Sequence, residues 1–236
     1  MQPIIKGVYG VLTKMAFVNF YVIANGDNLT VIDTALSPGD IRALERGLDK
    51  HGYGIGNIRH ILITHAHTDH IGGLPELQGL TDAPTYTHRL EAQVIRGEKA
   101  PSFARKEDLR GVAWLMRSLM PGALPVARVD HDLKEDDVLD DVYPGLQVVE
   151  LPGHAYGQIG FWLPEGRLLI GGDVMMKLPW GLRMPLRAPS PDWAAAKRSI
   201  RKVADMGVDV LCLGHGIPVI GGAATRIEQL AGKIGG

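Results

Sequence analysis

A chain of 236 residues is long enough for one large domain or two small ones, with a substantial core. Its 45% hydrophobic and 22% charged residues are ordinary globular material, and a formal net charge of −1 gives no reason to expect a nucleic-acid backbone as partner. No apolar run approaches the roughly 20 residues a membrane helix needs, the N-terminus lacks the charged and apolar regions of a signal peptide, and the single cysteine, Cys212, excludes an internal disulfide. We therefore expect a cytoplasmic protein whose partners are a small-molecule substrate and at most a second copy of the chain in a homodimer, with no nucleic acid and no membrane. Cys212 lies in the apolar run Val208–Leu213, the setting of a small buried hydrophobe.

The chain opens with β patterning. Val8, Val11 and Leu12 are followed by the run Phe17–Ile23, the turn Asn25-Gly26-Asp27-Asn28 and the strand Leu29–Ile32. Ser37 then caps a helix with Pro38 at its first position and Ile41, Leu44 and Leu48 on one face. Ile61–Thr64 reads as a strand running into His65–His70, a short helix follows, and Ala83–Thr87 is a further short strand. Residues from about His88 to Leu119 carry a helical pattern. Glu91–Gly97 is one short piece, and Lys106–Leu119 is a longer one with Leu109, Val112, Met116 and Leu119 on a common stripe. We expect these residues, about 88–120, to be a helical insert that overhangs the site. The β pattern returns with the strand Gln147–Leu151 and a hairpin of Gly160–Leu163 and Leu168–Ile170. Met175–Pro191 has no period and reads as a loop. Ser190-Pro191-Asp192 starts a helix bearing Trp193, Ala196, Ile200 and Val203 on one face, Val208–Leu213 is a strand, and a last helix spans Ala223–Leu230.

The stretch His65-Ala66-His67-Thr68-Asp69-His70 places four potential metal ligands in six positions, for which a fold has no structural need. His65 and His67, two apart on an extended segment, point to one side and can share a cation. Asp69 and His70 lie just beyond and aim differently, which suits a second cation. Imidazole nitrogen with carboxylate oxygen suits zinc, with iron or manganese as alternatives. Three further strands end, within three residues, in a potential ligand: His154, Asp173 and His215. Glycine precedes each of these (Gly153, Gly172, Gly214) and lets the chain turn sharply beside a cation. Active sites of layered α/β folds collect at such strand ends, so the recurrence points to one convergent site. His51, His60, His88 and His131 follow no ligand pattern and read as surface or helix-end residues. Asp33 reads as a turn residue or a support behind the ligands. Tyr156, Trp180 and Phe103 are candidate substrate contacts, whereas Trp114 and Met116 read as core.

The series His65-x-His67-x-Asp69-His70, Pro152-Gly153-His154, Gly172-Asp173 and Gly214-His215, with the early strand Val31-Ile32-Asp33-Thr34, resembles the metallo-β-lactamase superfamily over most of the chain and in the right order. The resemblance implies the α/β class, a single domain over residues 1–236, and a four-layer αββα sandwich of mixed sheets with two metals held between the sheets' edges. Carried over position by position, His65, His67 and His154 would hold metal one, Asp69, His70 and His215 would hold metal two, and Asp173 would bridge them. Ala155-Tyr156-Gly157-Gln158 departs from a common family form in lacking its Thr and Ser, a departure that falls on the hydrogen bonding around His154. Two divalent cations about 3.5–4 Å apart can share a water and lower its pKa toward neutrality. The bridging hydroxide then attacks a polarised carbonyl or phosphoryl centre, with Asp69 as the catalytic residue that orients it or carries its proton.

Members of this superfamily cleave β-lactams, thioesters, lactones and phosphodiesters, so the fold does not choose. A glyoxalase II-like enzyme would carry a basic helical C-terminal extension, whereas this chain ends about twenty residues after His215. The long insert of the family's nucleic-acid processors is missing, and a secreted lactamase would bear a signal peptide. The expectation is hydrolysis of a small ester, lactone or thioester, with the insert and the Met175–Pro191 loop shaping specificity. The alternatives are β-lactam hydrolysis, a mononuclear iron persulfide dioxygenase on the same fold, and a non-catalytic metal-stabilised binding protein.

Overall fold

The computed structural model describes residues 1–13 and 18–235; Phe17, at the head of the expected run Phe17–Ile23, lies outside them. The first sheet takes its strands in chain order. β1 (Gln2–Ile5), β2 (Val8–Leu12), β3 (Asn19–Asn25) and β4 (Asn28–Ile32) form an antiparallel meander, and β5 (Ile58–Leu62), β6 (Thr85–His88) and β7 (His131–Leu133) then add in parallel. Parallel neighbours need crossover connections, and helices supply them. α1 (Pro38–Asp49) leads from β4 to β5, α2 (Thr68–Ile71) and α3 (Leu74–Leu80) lead to β6, and α4 (Arg89–Ile95) and α5 (Gly111–Leu119) lead to β7.

The second sheet begins with β8 (Gln147–Glu150), β9 (Ile159–Leu163) and β10 (Leu168–Ile170), all antiparallel. A separate hairpin of β11 (Met176–Leu178) and β12 (Gly181–Arg183) and the helix α6 (Trp193–Asp205) follow. β13 (Val210–Cys212) then pairs parallel with β10, β14 (Val219–Ile220) closes the edge, and α7 (Ala223–Lys233) ends the chain.

Side chains alternate across each sheet, and that alternation sorts the apolar residues into three stacked cores. Phe20, Val22, Val31 and Ile61 face α1, α3 and α4 through Ile41, Leu44, Leu77 and Ile95. Tyr21, Ile23, Ile32 and Leu62 face the other sheet, meeting Val148, Phe161, Ile170 and Cys212. Val149, Leu169 and Leu211, on the far side of the second sheet, pack under Ile200 and Val203 of α6 and Ile227 and Leu230 of α7. Three cores separate four layers, helix–sheet–sheet–helix, as the resemblance implies. Cys212 is buried in the middle core.

Several local expectations are corrected. The stripe of the longer insert helix does not hold, because Lys106–Asp108 is a 3-10 turn and α5 starts only at Gly111. Leu109, Ala104 and Ala188 form a small satellite core with Met116 against it, while Val112 (79% exposed) and Leu119 (77% exposed) face outward. Trp114 is exposed rather than core. Met175–Pro191 contains the β11–β12 hairpin. The cap of α6 is Asp192, whose carboxylate accepts the Ala195 N–H at 2.8 Å, so Ser190 lies outside the helix and is free for another role. Among the described residues no helix is long and apolar enough to cross a membrane.

Candidate metal centre

Strand ends from both sheets meet at one end of the sandwich. The two sheets are tied together there: the Asn19 N–H donates to the Gly214 carbonyl at 2.8 Å, and the Ile159 N–H donates to the Thr64 carbonyl at 3.0 Å. His65 follows β5 by three residues, Asp173 follows β10 by three, His215 follows β13 by three, and His154 follows β8 by four. After His67 the chain turns into α2, so Asp69 and His70 leave the extended direction that His65 and His67 share. Glycine is required where these loops crowd. A Cβ on Gly214 would lie 2.1 Å from Asp173 Oδ1 and 2.6 Å from His70 Cε1, and one on Gly153 (φ +134°) would lie 2.1 Å from the Ala196 nitrogen.

The result is two groups, His65 with His67 and His154, and Asp69 with His70, Asp173 and His215, in each of which the potential ligand atoms lie within 4.8 Å of one another. Asp173 stands between them. Its Oδ2 is 3.3 Å from His154 Nε2 and 3.0 Å from His215 Nε2, and its Oδ1 is 3.4 Å from His70 Nε2. His215 Nε2 also lies 3.2 Å from Asp69 Oδ2. His51, His60, His88 and His131 belong to neither group. His51 caps the end of α1 through the Gly47 carbonyl, and His88 is the N-cap of α4.

Hydrogen bonds behind the imidazoles fix where their lone pairs point. Thr64 Oγ1 donates its one proton to Asp33 Oδ2 at 2.8 Å, so it accepts from His65 Nδ1 at 3.1 Å and leaves Nε2 of His65 bare. Ser190 Oγ donates to the Leu186 carbonyl at 2.6 Å, so it accepts from His154 Nδ1 at 3.2 Å and leaves Nε2 of His154 bare. His67 bonds to the Ser102 backbone, and its Nδ1 lies 3.0 Å from His154 Nε2. His70 Nδ1 donates to Asp33 Oδ2 at 2.8 Å. Asp33 stands behind His70 and Thr64, held in the left-handed region (φ +63°) with its Oδ1 accepting the Thr64 N–H.

Three buried polar atoms in the two groups, His65 Nε2, His70 Nε2 and Asp173 Oδ1, have no hydrogen-bond partner among the described residues. Facing lone pairs on His67 and His154, and orphaned buried donor atoms around them, are unfavourable unless an electrophile sits among them. The donor set therefore fits divalent cations.

The two groups differ electrically. Burial pushes the imidazole pKa values of His67 down to about 4 and of His154 down to about 3, and that of His65 well down too, which favours the neutral imidazole at all three. His215 is raised to about 10, first by the charge of Asp173. Burial opposes the charged forms of His70, Asp69 and Asp173, but their mutual attraction outweighs it. The pKa of His70, beside Asp33 and Asp173, is raised well above the usual imidazole value, and both carboxylates lie below their usual range through His70 and His215.

A cavity of about 310 Å³ opens over both groups. Asp69, His154, Asp173 and His215 line its floor, and Leu36, Phe103, Met120, Pro121, Leu186 and Pro189 its walls. The Phe103 ring stacks on His67 with centroids 5.5 Å apart and carries the Arg117 guanidinium at 4.8 Å. Tyr156 lines an adjoining cavity that shares His67. Trp180, at the β11–β12 turn, is 68% exposed and is not among the lining residues. The sequence reading missed Ser190, taken there for a helix start, and Glu91, whose carboxylate accepts the N–H groups of Ala66 and Gly157 at 2.8 Å each. A serine ahead of a proline and a glutamate in a short helix carry no local signal for either role.

The profile of the metallo-beta-lactamase superfamily matches residues 14–215. The probable metallo-hydrolase YflN of Bacillus subtilis (strain 168) is 26% identical over 243 residues, covering 97% of this chain and 91% of YflN. A hydroxyacylglutathione hydrolase of Bdellovibrio bacteriovorus is 31% identical over 161 residues, covering 68% of this chain and 51% of that protein. Among solved structures, the metallo-beta-lactamase family protein TTHA1429 from Thermus thermophilus superposes with a TM-score of 0.70 at 24% identity, over 98% of this chain and 80% of that one. TTHA1623 in a di-iron-bound form gives 0.64 at 26% identity, over 93% and 98%. The chain belongs to the metallo-beta-lactamase superfamily and is a metal-binding hydrolase of that fold.

Proposed function

We propose that this member of the metallo-beta-lactamase superfamily uses a pair of divalent cations to hydrolyse a small ester, lactone or thioester. The cavity over the two groups carries the reading: Leu36, Phe103, Met120, Pro121, Leu186 and Pro189 give it apolar walls, and among the described residues no lysine or arginine lines it. Such walls suit a neutral acyl group. The hydroxyacylglutathione hydrolase relative, a thioesterase by its name, supports acyl chemistry.

His65, His67 and His154 would hold one cation, Asp69, His70 and His215 the other, and Asp173 would bridge them. The nitrogen and oxygen donors favour zinc, with iron as the alternative suggested by the di-iron relative. When bound, the pair supplies a water acidified toward neutrality and a Lewis acid for the carbonyl. Asp69, at the cavity floor and partly exposed, takes and passes on the proton released by the attacking water. Phe103, held against His67, packs on the acyl group and excludes bulk water. Tyr156, in the adjoining cavity that shares His67, would contact the leaving group.

A panel of esters, lactones, thioesters, β-lactams and phosphodiesters tests this reading. Acyl substrates should be turned over, with β-lactams slower and phosphodiesters inert. Phe103→Ala should change relative rates across acyl substrates by about tenfold at constant metal content, the scale of one buried apolar contact. Trp180→Ala should leave them unchanged. Preferential cleavage of phosphodiesters would contradict the proposal.

A further inference from the structure

We infer that Glu91 is a positioning residue of the metal centre, a carboxylate clamp that holds the two loops carrying His65, His67 and His154 in register. Glu91 lies in the first turn of α4 and is 5% exposed. Its Oε2 accepts the N–H of Ala66, the residue between His65 and His67, and its Oε1 accepts the N–H of Gly157, three residues beyond His154, both at 2.8 Å. The Ala66 bond fixes the extended backbone that turns both imidazoles of the first loop to one side. The Gly157 bond fixes the loop that brings His154 to meet them.

Two features separate this from ordinary packing. A buried carboxylate is costly to place, and an apolar side chain would fill the same space without that cost. The carboxylate stands where the two loops of the three-histidine group meet. The second loop is also shaped to receive it: a Cβ on Gly157 would lie 2.4 Å from His88 Nδ1 and 3.0 Å from Glu91 Oε1, so only glycine lets that N–H approach. The insert thus contributes to the metal centre from behind, Glu91 through two backbone amides and Ser102 through its backbone bond to His67.

The inference rests on His65, His67 and His154 being ligands, and one experiment separates the two claims. Glu91→Gln keeps the volume and one acceptor oxygen but sets an amide NH2 against the second backbone N–H. Zinc affinities of both sites are read by competition with a chromophoric chelator, and cobalt substitution assigns the weakened site by its d–d bands. The three-histidine site should lose about 10–100-fold in affinity, the range for residues that orient ligands, while the second site is unchanged. Equal weakening of both sites would show a merely structural role and overturn the inference. Wild-type affinity at both sites would overturn it too, leaving the ligand reading intact. A wild-type chain that takes up no zinc would overturn both. Should the variant not fold, amide exchange on metal-stripped wild type decides: the Ala66 and Gly157 amides stay protected together if the clamp needs no metal, and exchange as freely as open-loop amides if the inference is wrong.

Discussion

The N-terminal half of the sandwich delivers His65, His67, Asp69 and His70 from one six-residue stretch, whereas the C-terminal half delivers His154, Asp173 and His215 from three separate loops. The first set is ordered by local geometry: an extended segment for two donors, then the turn into α2 for the other two. The second set is ordered by the sheet, since β10 and β13 are parallel neighbours and present Asp173 and His215 side by side. The same chemistry is therefore encoded at two ranges, and both halves depend on close backbone approaches, at Gly72 and Gly73 beside the first set and at Gly153 and Gly214 beside the second.

Asp173 is where the two halves join, so its loss should do the most damage. Asp173→Ala removes the carboxylate that stands between His154 and the pair His70 and His215. We expect kcat/KM to fall by at least about 10³-fold, the scale for losing a key charge-stabilising group, and elemental analysis to show the second cation gone. Gly214→Ala should come next. Its Cβ would meet Asp173 Oδ1 and His70, so it should cost about 1–3 kcal/mol of stability by overpacking. Calorimetry would read this as a lower Tm, and chelator competition should show weaker binding at the second group with the three-histidine group little changed. Ser190→Ala should have the smallest effect. It removes the acceptor behind one of three imidazoles, and we expect about a tenfold loss of affinity at the first group alone. Equal effects of Gly214→Ala on both groups would erase the distinction between them.

Legibility followed the same division. His65–His70 could be read directly because its donors are adjacent, and His154, Asp173 and His215 could be read because each sits just past an apolar strand with glycine before it. The supporting residues could not all be read so. Asp33 closes a strand and so carries a signal, but Ser190 bonds His154 and Glu91 bonds the Ala66 and Gly157 amides, all far away in the chain, and these partners exist only once both sheets are in place. The stripe expected over Lys106–Leu119 fails for a related reason. The spacing of Leu109, Val112, Met116 and Leu119 reports which residues share a helix face, not whether anything covers that face. The break at Lys106–Asp108 puts Leu109 and Met116 inward and leaves Val112 and Leu119 exposed. The strands β7 and β14, at three and two residues, are too short for a period to show.

The central claim is that one site at the joined ends of the two sheets holds two cations. Elemental analysis of protein purified without added metal, together with the same count on Asp173→Ala, tests it most directly. The account predicts about two divalent cations per chain in the wild type and about one in the variant, with hydrolysis lost alongside the second. A wild-type chain with no bound metal, and none taken up on reconstitution, would contradict it.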